Sequence, residues 1–157
     1  MKRHESLHPL SEHHHHVLVL ALEIRRAAGS SAPERDQKLR DLAESLLRFW
    51  DESGHTHFAE EEQVLLPQYA RHIRLDQDAE VMRMLADHAE IRAKLAELQH
   101  SLIEGFAPQL VVDLGQMLHD HVRLEEDHIF PRIEKTLAEA ELTSLAPHLS
   151  RLHRAQR

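Results

Sequence analysis

The sequence predicts an all-α chain folded as an antiparallel up-and-down four-helix bundle with a short C-terminal helical extension. Three observations predict it. The 157 residues hold only 4 glycines and 6 prolines among abundant Leu, Ala, Glu and Arg, a composition rich in helix formers and poor in breakers. Apolar residues recur at spacings of three and four through four long segments, the period of one face of a helix. The breaks between these segments are short, which sets neighbouring helices antiparallel.

Each element has its own signals. Ser11, following Pro9, is the expected N-cap of the first helix, whose apolar run from Val17 to Ile24 ends at Gly29, Ser30 and Ser31. The second opens after Pro33 and carries Leu39, Leu42, Leu46, Phe49 and Trp50 on one stripe. It continues through Phe58 to Leu66, with Gly54 as a weak point or local bend, and Pro67 is expected to stop it. The third runs from about Gln77 through Val81, Met84, Leu85, Ile91, Leu95, Leu98 and Leu102 to Gly105. Pro108 opens the fourth, striped by Leu110, Leu114, Met117, Leu118, Leu124 and Ile129 until Pro131 interrupts it. Residues 132–157 read as one further short helix with a basic, frayed end. The whole of 1–157 is expected to be one domain with its core at about 10–131.

Charge and composition remove several functions. Acidic residues number 27 against 19 basic, a formal charge of −8, which disfavours nucleic acid and anionic lipid as partners. No cysteine is present, so thiol catalysis, disulfides, iron–sulfur clusters and thiolate zinc sites are excluded. No apolar run approaches a membrane span, and the start MKRHESLHPLSEHHHH lacks the apolar core of a signal peptide. A cytoplasmic location is expected.

Histidine is the anomaly, at 16 residues. His13 to His16 form a run of only four, and the others are scattered, so a purification tag does not explain them. Roughly two His-x-x-x-Glu pairs would arise by chance from this composition, whereas His8/Glu12, His57/Glu61, His100/Glu104 and His121/Glu125 are present. Context separates them. HFAEEEQVLLP, starting at His57, and HVRLEEDHIFP, starting at His121, share one pattern: His, three residues, Glu-Glu, two residues, two apolar residues, Pro. The copies lie 64 positions apart, which suggests two similar helical hairpins.

Helical faces then select the inward histidines. His121 and Glu125 share the stripe of Leu114, Met117, Leu118 and Leu124, and His88 shares that of Val81, Met84, Leu85, Ile91 and Leu95. The His57 face carries Trp50, Glu61, Val64 and Leu65. On the first helix His14 shares a face with Leu7, Leu10, Val17, Leu18 and Ala21, and is a better inward candidate than His15, although a rotated helix would exchange them. His55 and His119 are expected in solvent. Glu60, Glu62 and Glu126 are expected on a solvated face or around the ligands, and Tyr69 is either a packing residue or a donor near them.

Burying four imidazoles and two carboxylates costs several kcal/mol per unpaired charge unless something binds them. A metal does so, and nitrogen and oxygen donors suit iron, manganese or zinc. If both carboxylates bridge, the set supplies about eight of the roughly twelve contacts that two six-coordinate ions want, which leaves places for solvent or a small ligand. Ligation needs neutral imidazoles, so metal is expected to leave near or below about pH 6.

SEHHHHVLVLA, HFAEEEQVLLP, ADHAEIRAKL and HVRLEEDHIFP together resemble the hemerythrin-like family, also called the HHE cation-binding domain, over about Leu10 to Pro131. The resemblance implies a four-helix bundle around a non-haem di-iron centre, two iron ions with an oxo or hydroxo bridge. It places His14, His57, Glu61, His88, His121 and Glu125 on ligand positions, with Glu61 and Glu125 as bridges. Two departures are visible. Oxygen-carrying hemerythrins have a second histidine four residues after the one on the third helix, where this chain has Arg92, and an aspartate where it has Glu126. One iron would be poorer in nitrogen and more open, which argues against stable dioxygen storage. The iron-cluster repair type carries a cysteine-bearing N-terminal segment, and this sequence has no cysteine.

The function implied is binding or sensing of dioxygen, a related small ligand or iron itself, with a protein partner or a homodimer to receive the signal. The alternatives are a di-iron redox enzyme, such as a peroxidase, oxidase or nitric oxide reductase, and a structural bundle whose histidines pack in a pH-dependent way.

Overall fold

The computed structural model describes residues 2–154, with side chains described through Leu149. The described residues are almost entirely helical and contain no strand. A 3₁₀ turn at Glu5–Leu7 leads into α1 (His8–Ala28), which begins three residues before the expected cap. Pro9 occupies its first turn, where a missing N–H costs nothing. Ser11 lies inside the helix, and its hydroxyl donates instead to Glu126 Oε1 at 2.7 Å.

The second rod is α2 (Arg35–Phe49), α3 (His55–Glu60) and α4 (Leu66–Tyr69), joined by π turns at Trp50–Gly54 and Glu61–Leu65. After a 3₁₀ turn at Leu75–Gln77 comes α5 (Ala79–Glu104), capped by Asp78, whose carboxylate accepts from the Glu80 and Val81 N–H groups. Next is α6 (Pro108–Leu124), joined by a π turn at Glu125–Ile129 to α7 (Phe130–Thr136). Last is α8 (Glu139–Arg154).

The helices do not stop at Pro67 or Pro131. Both prolines sit in the first turn of the helix that follows a π turn. In each π turn the hydrogen bond spans five residues: Leu66 N–H donates to the Glu61 carbonyl, and Phe130 N–H to that of Glu125. The wider turn displaces the carbonyl that a proline ring would strike in a regular helix. The repeated phrase therefore encodes a through-going bulge.

Against α1 pack α6 and α2, and α5 packs along α6. Gly115 sets the α1–α6 approach, since a Cβ there would fall 3.0 Å from Ile24 Cγ2. The core divides into two apolar clusters. One holds Val17, Leu46, Phe58, Ile91, Leu118 and Val122, and the other Leu10, Leu65, Met84, Ile129 and Phe130. On every rod one polar residue or pair falls between them: His14 between Leu10 and Val17, His57 and Glu61 before Leu65, His88 between Met84 and Ile91, His121 and Glu125 before Ile129. A buried polar layer thus crosses an otherwise apolar bundle.

The tail differs from expectation. Leu142, Leu145 and Leu149 of α8 are buried in the second cluster with Leu7 and Leu65, so the segment after α7 is part of the core rather than a loose end. The side chains of the basic end, 150–157, lie outside the described residues.

Candidate metal centre

The polar layer brings together all six of the side chains picked from the sequence. His14, His57, Glu61, His88, His121 and Glu125 are each at most 5 % exposed. His14 is the inward residue of its run and His15 is exposed. Glu61 and Glu125 occupy the middle. His57 Nε2 lies 2.8 Å from Glu61 Oε1, and His14 Nε2 lies 2.8 Å from Glu125 Oε2 and 3.5 Å from Glu61 Oε1. On the other side His121 Nε2 lies 2.9 Å from Glu125 Oε1, and His88 Nε2 lies 3.2 Å from Glu61 Oε2 and 3.4 Å from Glu125 Oε1.

These atoms form two sets of potential metal ligands, His14, His57, Glu61 and Glu125, and Glu61, His88, His121 and Glu125, the donor atoms of each lying within 4.8 Å of one another. Both sets share the two carboxylates. All four oxygens of Glu61 and Glu125, with the Nε2 atoms of His88 and His121, are buried without a hydrogen bond of acceptable geometry. They crowd together without pointing at one another. Orphaned buried donors are costly, and two imidazoles with two carboxylates per set match the nitrogen and oxygen preference of first-row divalent metals. The residues fit a pair of cations.

Around this cluster, each ring nitrogen that faces outward is held. His14 Nδ1 lies 2.7 Å from Glu126 Oε1, and His88 Nδ1 lies 2.7 Å from Glu62 Oε1. His121 Nδ1 lies 3.4 Å from Asp87 Oδ2, and His57 Nδ1 lies 3.1 Å from His13 Nδ1. Arg92 donates to both oxygens of Glu62 and lies over the Phe58 ring, which stacks on His88 at 3.8 Å. The other half repeats this: Arg3 donates to Glu126 and lies over Phe130, which stacks on His14. Arg92, which departs from the oxygen-carrier pattern, braces the carboxylate that holds His88. Holding the outer nitrogen fixes the tautomer and leaves Nε2 free to ligate.

Sequence reasoning left Glu62 and Glu126 between a solvated face and the surroundings of the cluster, and did not anticipate the roles of Asp87 and His13. Each directly precedes an inward histidine on its own helix and serves the histidine of a neighbouring one, a relation visible only after folding. Glu60 is buried rather than solvated. Burial and the adjoining Glu61 push its carboxyl up to about 8. His119 is exposed as expected. His55 is half-buried, its ring donating to the Trp50 carbonyl. Tyr69 is 3 % exposed and packs in the second apolar cluster.

Ring and carboxylate stabilise each other's charge. Burial disfavours the imidazolium form, but the adjoining carboxylates outweigh it, raising His88 to about 10, His121 to about 9 and His14 well above its ordinary value. Burial would raise Glu61 and Glu125, and the surrounding histidines instead hold both well below the usual carboxylate range. A metal binding here would have to displace protons from these rings.

A cavity of about 30 Å³ adjoins His14, His57 and His121, lined further by His13, Phe49, Trp50, Leu95 and Leu118. Trp50 reaches it by lying across Gly54, where a Cβ would fall 2.6 Å from Trp50 Cε3. The space suits a molecule of two or three atoms.

A family model described as the Hemerythrin HHE cation binding domain matches residues 6–133. Comparison with the curated proteins and with the solved structures returns no match.

Proposed function

The chain belongs to the hemerythrin HHE cation-binding family, and from that premise we propose that its buried cluster is a non-haem di-iron centre that binds or senses dioxygen, a related small ligand or iron itself. In this reading residues 1–157 form one domain, the rods run antiparallel and up-and-down, and the protein works in the cytoplasm. His14 and His57 would hold one ion and His88 and His121 the other, with Glu61 and Glu125 within reach of both.

The observation that carries the reading is the sharing of Glu61 and Glu125 by two sets of potential ligands. Bound there, a pair of irons would supply electron exchange with a small oxidant. The chain's own residues do the rest. Glu62, Glu126, Asp87 and His13 orient the rings. Phe58 and Phe130 shield their faces. The two apolar clusters keep bulk water out, and the small cavity has room for a diatomic molecule beside His14, His57 and His121. Its size favours binding or sensing over oxidation of an organic substrate.

Elemental analysis of the purified protein, paired with visible spectra of the reduced protein before and after air, tests this. The expected result is about two irons per chain with new charge-transfer absorption in air, and reversal on degassing marks a carrier. Turnover of peroxide or nitric oxide would favour the enzyme. Manganese or zinc in place of iron, or no metal, would overturn the dioxygen chemistry.

A further inference from the structure

The two halves of the cluster match residue by residue, with one break. His14 corresponds to His88, His57 to His121, Glu61 to Glu125 and Glu62 to Glu126. Each half supplies the carboxylate that holds the other's ring, Glu126 for His14 and Glu62 for His88. The residue before each first histidine holds the remaining ring. In one half that residue is Asp87, facing His121, and in the other it is His13, facing His57.

This break changes what each position offers a cation. A histidine that ligates through Nε2 carries its proton on Nδ1 and donates it outward, and an anionic acceptor there makes the ring a stronger ligand. His88 and His121 both donate to carboxylates. His57 donates to an imidazole, which brings no negative charge and must keep its own proton on the far nitrogen to accept. The counter-charges deepen the difference. Arg83 and Arg92, on Asp87 and Glu62, are 65 % and 41 % exposed and screened by solvent, whereas Arg3, shared between Glu126 and Glu134, is 17 % exposed and less screened.

Resting on the di-metal reading above, we propose that the two positions are unequal: His88 and His121 take a divalent cation first and tightly, and His14 and His57 take the second more weakly, because His13 stands where the other half has Asp87. The small cavity touches both positions, through His14 and His57 of one and His121 of the other.

The test is a titration of the metal-stripped full chain with Zn²⁺, a redox-inert probe, read by calorimetry against a competing chelator. Wild type is expected to bind in two steps separated by about 10- to 100-fold, the range by which outer partners change metal affinity. His13→Asp is expected to draw the second step towards the first, and Asp87→Asn to weaken the first and leave the second. Two equal steps in wild type, or a His13→Asp protein that melts like wild type and keeps the separation, would overturn the inequality while leaving the di-metal reading intact. No uptake of Zn²⁺ would overturn both. The wild-type titration decides even if a variant fails to fold.

Discussion

Glu62 accepts from His88 Nδ1 across 2.7 Å, so the residue directly after one central carboxylate fixes a ring on a different helix. Its carboxyl is held below the usual range: burial would raise it, and Arg92 and His88 outweigh that. Glu62→Gln keeps the shape and removes the charge. Metal affinity is expected to fall about 10- to 100-fold, with a modest fall in the melting temperature of the metal-free protein as the charge facing Arg92 and His88 is lost. Chelator competition measures the first and thermal denaturation the second. Unchanged affinity would mean that His88 needs no anchor.

Trp50 and Gly54 make a second separable feature. A methyl group at position 54 would fall 2.6 Å from the indole, so Gly54→Ala must push Trp50 from the cavity wall. The expected cost is about 1–3 kcal/mol, seen as a lower denaturation midpoint. Metal stoichiometry is expected to survive, since none of the six central side chains lies at that contact. A variant as stable as wild type would mean that the π turn relaxes freely.

Much of this was legible in the sequence, and what was missed has a common cause. Period and face located every inward histidine, because burying an amphipathic stripe is a local property of each helix. The repeated phrase paired His57 with Glu61 and His121 with Glu125, because four residues make one turn. Pro67 and Pro131 read as stops, since a proline opposes a regular helix, and the π turns before them are not written in any hydrophobic period. Asp87 and His13 act across helices, so no spacing along the chain announces them. In the tail Leu142, Leu145 and Leu149 lie three and four apart, the same signal that marked the earlier helices, although their burial depends on what the second cluster leaves uncovered.

That burial makes the tail a stability element. Leu145 is 3 % exposed among the residues of the second cluster. Leu145→Ala is expected to cost about 2–5 kcal/mol through lost burial and the cavity left behind. Urea denaturation with the m-value held constant is the measurement. A loss under about 1 kcal/mol would return α8 to the status of a loose extension.

The pH dependence of the metal-free protein follows from the charges in the polar layer. His14, His88 and His121 bind protons more tightly folded than unfolded, His88 up to about 10 and His121 up to about 9. Their contribution is complete below the unfolded value near 6.5 and disappears as pH climbs through those folded values. Glu60, raised to about 8 by burial and then by Glu61, loses its contribution over about 4.5 to 8. Glu126 behaves oppositely. Burial would raise it, but His14, Ser11 and Arg3 bring it down to about 2, so its contribution is present above 4.5 and lost as pH falls. Glu61 and Glu125 act in the same sense. The melting temperature without metal is therefore expected to fall from pH 6.5 to 10 and again below about 4.5. Metal displaces the ring protons, so the increment that Zn²⁺ adds should widen over the same alkaline range, with competition from protons reaching well above the pH 6 expected for ordinary imidazoles. Calorimetric melts of stripped and loaded protein at half-unit steps measure both curves. A melting temperature that rises from pH 7 to 9 without metal would mean that the rings are neutral in the fold and that the carboxylates are paired in some other way.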